Sequence, residues 1–213
     1  MKKYGYVEQL ISNYPKLGDA AEDIKKTCDM LENCYKSGGK ILIAGNGGSA
    51  ADSEHIVGEL MKGFVKSRRI PQEFADSLKS VDAENGSILC KCLQQGIPAI
   101  ALSGHPALST AYLNDVEGTV GFAQQVYGYG KPEDIFLAIS TSGNSKNVLY
   151  AAITAKAMGI TVIGLTGGTG GQLVKYSDIL IKVPETEPYK VQEYHLPVYH
   201  AICLELEERL FSE

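Results

Sequence analysis

Alternating apolar runs and helical stretches predict an α/β protein of three layers: a doubly wound, mainly parallel five-stranded sheet covered by helices, with a helical extension at the N-terminus. Three observations carry that expectation. The run ILIA at 41–44 holds no polar residue and passes through Gly45, Asn46, Gly47 and Gly48 straight into a helix, as a strand buried on both faces does. A second apolar run, DIFLAI at 134–139, ends in the same way, in a polar loop that opens into a helix. Helical stretches separate these and three further apolar runs, and strands joined through helices lie parallel.

The elements follow in chain order. From Tyr6 to Tyr35 apolar residues recur at helical spacing, and Pro15 and Gly18 divide the stretch into two helices. Helices outside a sheet suit assembly between copies, so residues 1–37 read as an oligomerisation segment and 38–213 as one α/β domain. Gly38 and Gly39 close the second helix. Beyond the first strand and its glycine loop, Ser49 is expected to cap a helix running to about Phe64. The stretch 67–95 is punctuated by Pro71 and Gly86 and yields only one short helix, at 87–93. PAIAL at 98–102 is the next strand, followed by Ser103, Gly104 and His105 and a helix starting at Pro106. After DIFLAI come a helix over 146–158, a strand over 161–166 ending in a GGTGG loop, and a fifth strand over 179–183. The last helix covers 189–210, with Val198, Ile202, Leu206 and Leu210 as its apolar stripe and a kink at Pro197.

With 213 residues the chain supports one large α/β domain rather than two. Its net charge of -5 and pI near 5.5, without any basic run, argue against a nucleic-acid partner. The five cysteines follow no disulfide-scaffold spacing, which suits free thiols in a reducing, cytoplasmic compartment. Cys90 and Cys92 stand one residue apart, not at the two-residue gap of zinc or redox knuckles. No leader follows the N-terminal lysines, and no apolar run reaches the roughly 18 residues of a membrane span.

Two strand-terminal loops carry the chemistry. Glycines at 45, 47 and 48 let backbone N–H groups approach a ligand, and Ser49 and the helix N-terminus face an anion there, although glycine loops that bind nothing look alike. Ser140, Thr141, Ser142 and Ser145 gather four hydroxyls at the start of another helix, more than a capping turn needs. Two such loops on one sheet edge suit a phosphate ester. There is no Walker lysine and no G-x-G-x-x-G, so no nucleotide cofactor is expected. His55 and Glu59 share a helix face four residues apart, as a surface pair, a proton-transfer pair or a metal-binding pair would. Gln192, His195 and His200 interrupt the last helix's apolar stripe, as core residues or as part of a site. His105, on a loop, is either solvent-exposed or a substrate contact.

The motifs AGNGGSAADSEH, AISTSGNSKNV and VQEYHLPVYH, in that order, resemble the sugar isomerase (SIS) fold, and within it the phosphoheptose isomerase family. The resemblance covers nearly the whole chain and makes 38–213 the SIS domain. It implies phosphate-loop roles for Ser49, Ser140, Thr141, Ser142 and Ser145, with Asn46 and Gly47 near the sugar. It implies Glu59 and His200 as the catalytic pair, a zinc ion among His55, Glu59, Gln192 and His200, and an active site built between subunits of a homotetramer. The chain departs from the family after Glu59, where Met61, Lys62, Gly63 and Phe64 replace the usual Gly-Arg-aromatic. The implied reaction interconverts sedoheptulose 7-phosphate and a manno-heptose 7-phosphate through an enediol. A non-catalytic sugar-phosphate sensor or a partner of replication initiators would share the fold, but retention of both Glu59 and His200 favours the enzyme.

Overall fold

A computed structural model describes residues 3–211. Helix α1 (Gly5–Asn13), a 3-10 turn over Pro15–Ala20 and helix α2 (Ala21–Lys36) precede strand β1 (Ile41–Ala44) and helix α3 (Gly48–Met61). Helices α4 (Gln72–Val81) and α5 (Ala83–Cys92) lead to strand β2 (Ala99–Ala101), then α6 (Pro106–Asp115) and α7 (Gly121–Tyr129). Strand β3 (Ile135–Ser140), helix α8 (Lys146–Ala157), strands β4 (Thr161–Thr166) and β5 (Ile179–Lys182), and helix α9 (Pro188–Leu210) complete the chain. The five strands form one sheet in the order β2-β1-β3-β4-β5, and every pairing is parallel.

Side chains alternate along the strands to feed two cores. Ile41, Ile43, Ile135, Leu137, Ile139, Ile163, Leu165 and Ile181 face α1, α2, α3 and α9. Leu42, Ala44, Phe136, Ala138 and Val162 face the opposite layer, where Val126 of α7 and Val148, Ala151, Ala152 and Ala155 of α8 cover them. Burial on both sides explains the uninterrupted apolar strands. The N-terminal helices join the first core through Val7, Leu10, Ile24, Cys28 and Leu31.

Three differences from expectation have physical causes. The stretch 67–95 holds two helices, α4 and α5, rather than one. They pack on each other, with Gly86 beneath the Leu78 carbonyl, and Ala75 and Gly86 are their only buried residues, so neither has a core-facing stripe. Helix α7 was not foreseen for a similar reason, since GFAQQVYGY is rich in glycine and glutamine. Helix α9 continues unbroken across Pro197, because the rest of its length packs against α1, α2 and α3.

One buried ion pair ties the C-terminal end of α3 to α9. Arg68 donates from Nε to Glu207 Oε1 at 2.8 Å, from Nη1 to the Leu60 carbonyl at 2.6 Å and from Nη2 to the Glu59 carbonyl at 3.2 Å. Glu207 also accepts from the backbone N–H groups of Phe64, Val65 and Lys66. Burial works against the Glu207 carboxylate, but those N–H groups and Arg68 outweigh it and hold its pKa below the usual carboxylate value.

Candidate active site

The order of the sheet creates the site. From β1 the chain turns into α3 on one face, and from β3 it turns into α8 on the other. The adjacent carboxyl ends of β1 and β3 therefore flank the topological switch point, where open α/β sheets bind ligands. Both sequence-predicted loops lie there.

The β1 loop turns on Gly47, at φ 55° and ψ -121°, a conformation a side chain would strain. Gly47, not Ser49, is the N-cap of α3, and no side chain caps the helix. Ser49 instead lies buried inside the first turn, which corrects its expected capping role. Gly48 is needed for another reason: a Cβ there would lie 2.5 Å from Gln192 Nε2. Gln192 of α9 thus rests on the glycine loop.

The β3 loop is fixed to the β1 loop through an exchange of side-chain amides. Asn46 Nδ2 donates to Asn147 Oδ1 at 2.9 Å, and Asn147 Nδ2 donates back to Asn46 Oδ1 at 2.8 Å. Asn147, the second residue of α8, went unnoticed in the sequence because it follows the hydroxyl run rather than belonging to it. Ser140 and Ser145 lie 3.0 Å apart, hydroxyl to hydroxyl. Ser145 is the N-cap of α8 but makes no side-chain capping bond, while Ser142 is exposed and accepts from Asn144 N–H at 3.2 Å. Hydroxyls spared from capping, at the positive end of a twelve-residue helix, make an anion cradle. The GGTGG loop supports it from behind: Gly167 N–H donates to the Thr141 carbonyl at 3.0 Å, and Gly143, at φ 65°, lies against the Gly170 carbonyl.

A second cluster forms further along α3, where it crosses α9. Glu59 Oε1 is 3.4 Å from His55 Nε2, and Glu59 Oε2 is 3.4 Å from Lys62 Nζ. The His200 ring stands edge-on to His55 at 5.0 Å between centroids, with Phe64 5.4 Å away on another side. Its Nε2 is buried without a hydrogen-bond partner among the described residues. Burial, reinforced by His55 and opposed by Glu59, lowers the His200 pKa, so the imidazole is neutral at neutral pH. Beneath the cluster, Tyr199 OH is 3.0 Å from His55 Nδ1 and donates to Asp52 Oδ1 at 3.3 Å. The signal for Asp52 and Tyr199 was present in the sequence: Asp52 precedes His55 by one turn on the same face, and Tyr199 neighbours His200.

The two remaining histidines have other surroundings. His195 is fully buried against the backbone of Thr166, and burial pushes its pKa down to about 4, so it packs as a neutral core residue. His105 packs its ring on Tyr129 at 5.9 Å.

His55, Glu59 and His200 offer two imidazoles and a carboxylate, a donor chemistry that suits zinc. Gln192 lies on the glycine loop, two helical turns before His200. Among the described residues no group of three His, Cys, Asp or Glu side chains is already closed around a metal position, so a metal there would draw these side chains together.

Comparison with known proteins gives the family and the fold. A family model, SIS domain, matches residues 5–78 and 85–167. A phosphoheptose isomerase of Sulfurimonas denitrificans is 34% identical over 213 residues, spanning 100% of this chain and 94% of that one. One from Aneurinibacillus thermoaerophilus is 38% identical over 177 residues, 83% of this chain and 76% of that one. The chain belongs to the phosphoheptose isomerase family of SIS-domain proteins. A solved phosphoheptose isomerase structure from Francisella tularensis superposes with a TM-score of 0.75 at 30% identity, covering 95% of each chain. The resemblance drawn from three short motifs thus extends to the whole fold. No helix among the described residues is long and apolar enough to cross a membrane.

Proposed function

We propose that the protein is an aldose–ketose isomerase that interconverts sedoheptulose 7-phosphate and D-glycero-D-manno-heptose 7-phosphate through an enediol. Family membership supports this reading, and one observation carries it: the Glu59 carboxylate and the unpartnered, neutral His200 imidazole meet around His55. Glu59 removes a proton from C1 of the ketose and returns one to C2, giving the aldose. His200 moves a proton between the two oxygens, as a neutral imidazole can. The phosphate rests on Ser49, Ser140, Thr141, Ser142 and Ser145, with Asn46, Gly47 and Gln192 towards the sugar. Incubation with pentose, hexose and heptose phosphates, followed by product analysis, tests the assignment. Turnover of the heptose phosphate is expected, and binding without turnover would make the protein a sensor.

Zinc held by His55, Glu59, Gln192 and His200 would polarise the substrate's oxygen. A cytoplasmic location accords with the five free cysteines.

The active site is shared between copies in a homotetramer. Glu59 stands ten residues beyond Ser49 on α3, about 15 Å along the helix axis, so base and phosphate loop of one chain occupy opposite ends of the helix. His200 also lines an open, largely apolar groove between α1 and α9, with Leu10, Tyr14, Val65 and Pro197. Light scattering at micromolar concentration should therefore report four protomers, and a monomer would contradict the shared site.

The hydroxyl cradle makes a separate prediction. Ser142→Ala and Ser145→Ala should each weaken binding of a sugar phosphate by roughly 1.5 to 3 kcal/mol, the worth of a hydrogen bond to a charged group, and leave the unphosphorylated sugar unaffected. Calorimetry on both ligands checks this, and equal losses for the two would show that the loop does not bind the phosphate.

A further inference from the structure

We infer that Tyr199 and Asp52 are positioning residues that hold His55 as its Nδ1–H tautomer and aim the Nε2 lone pair at Glu59. The inference rests on the acid–base reading of Glu59 and His200, but its observations are its own.

Tyr199 OH touches both Asp52 Oδ1, at 3.3 Å, and His55 Nδ1, at 3.0 Å. A phenol has one proton to donate, and an ionised carboxylate can only accept. The other Asp52 oxygen, Oδ2, is buried with no partner among the described residues. If the phenol donated to His55, both carboxylate oxygens of the half-buried Asp52 would be left without a donor, a costly state for a charge whose Oδ2 is shut off from solvent. The phenolic proton therefore belongs to Asp52, and the contact between Tyr199 and His55 is satisfied by N–H donation from Nδ1. In the neutral form of the ring, a proton on Nδ1 leaves Nε2 as an acceptor.

That lone pair faces Glu59 Oε1 across 3.4 Å, with the His200 ring beside it. Two acceptors held so close create a position that favours a positive centre, whether a proton arriving from the substrate or a bound cation. The partner on the far nitrogen of a histidine commonly sets which nitrogen is free in this way. Tyr199 is itself buried and packed edge-on between His55 at 5.5 Å and His200 at 5.0 Å, which fixes the position of the phenol.

Nitrogen-15 NMR of the full-length protein with labelled histidine rings tests this. The chain has four histidines, and His55→Gln assigns the signal. The protein is measured as purified and again with chelator, so that no bound metal imposes the tautomer. His55 is expected to carry its proton on Nδ1 in both samples. Tyr199→Phe should release it towards the Nε2–H form, and Asp52→Asn, whose amide can donate to the phenol, should turn the phenolic proton to His55 and invert the tautomer. Tyr199→Phe should also lower kcat by about 10- to 100-fold, as loss of such an outer partner does, with KM little changed. An Nε2–H signal in the wild type, an unaltered tautomer in both variants, or an altered tautomer with full kcat would each overturn the inference. Absence of turnover in the wild type, with the tautomers as expected, would instead count against the proposed function.

Discussion

Glu59→Gln should lower isomerisation by roughly 100- to 10,000-fold, the usual contribution of a positioned proton-transfer group, while sugar-phosphate affinity stays within an order of magnitude. The substitution preserves size and the contacts to His55 and Lys62 but removes the base. The fold should be unaffected, because Glu59 joins the buried clamp through its main-chain carbonyl, which accepts from Arg68, and not through its side chain. Should Glu59 act mainly as a zinc ligand, the same variant would lose metal along with activity, since a neutral amide is the poorer ligand. Steady-state kinetics together with metal analysis of both proteins separates the two roles, and full turnover by the variant would refute the mechanism.

Arg68→Met should destabilise the protein by about 3 to 5 kcal/mol, the loss typical when one partner of a buried ion pair is removed. Arg68 and Glu207 are both inaccessible to solvent, so the remaining carboxylate would be a buried, uncompensated charge, still served by three backbone N–H groups but without its cation. The variant also leaves the Leu60 and Glu59 carbonyls without their donor. Urea unfolding at a fixed protomer concentration measures the change, and the double variant Arg68→Met/Glu207→Gln should recover part of it. A loss below about 1 kcal/mol would place the pair among weak surface bridges. Because this clamp anchors the segment from Glu59 to Arg68 on α9, it also holds the Glu59 end of α3 against the helix that carries His200.

The parts of the fold that the sequence revealed are those buried on both sides. Strands β1, β3, β4 and β5 are nearly continuous apolar runs, and their ends were placed within about a residue. Helices α4 and α7 escaped, and α5 was read only over its second half, because their buried positions are few or small, and periodicity reports only faces that meet a core. The two loops were legible because glycines and hydroxyls cluster there beyond what turns require. Asn147 and the Arg68–Glu207 clamp were not, and Tyr199 and Asp52 were passed over although one neighbours His200 and the other precedes His55 by one turn. Each acts through a partner distant in sequence, with separations of 101 residues for Asn46 and Asn147 and 139 for Arg68 and Glu207. Ser49 was placed in the right loop, but it is not the cap, since Gly47 at φ 55° takes the capping position.

The central claim is proton transfer between adjacent carbons, with Glu59 as the base. It is tested most directly by incubating the protein with sedoheptulose 7-phosphate in D2O and following deuterium at C2 of the aldose product by NMR. The account predicts that wild-type protein forms the aldose with solvent deuterium at C2, and that Glu59→Gln forms neither product nor label at a comparable rate. Aldose formed without any solvent label, or equal labelling by wild type and Glu59→Gln, would contradict it.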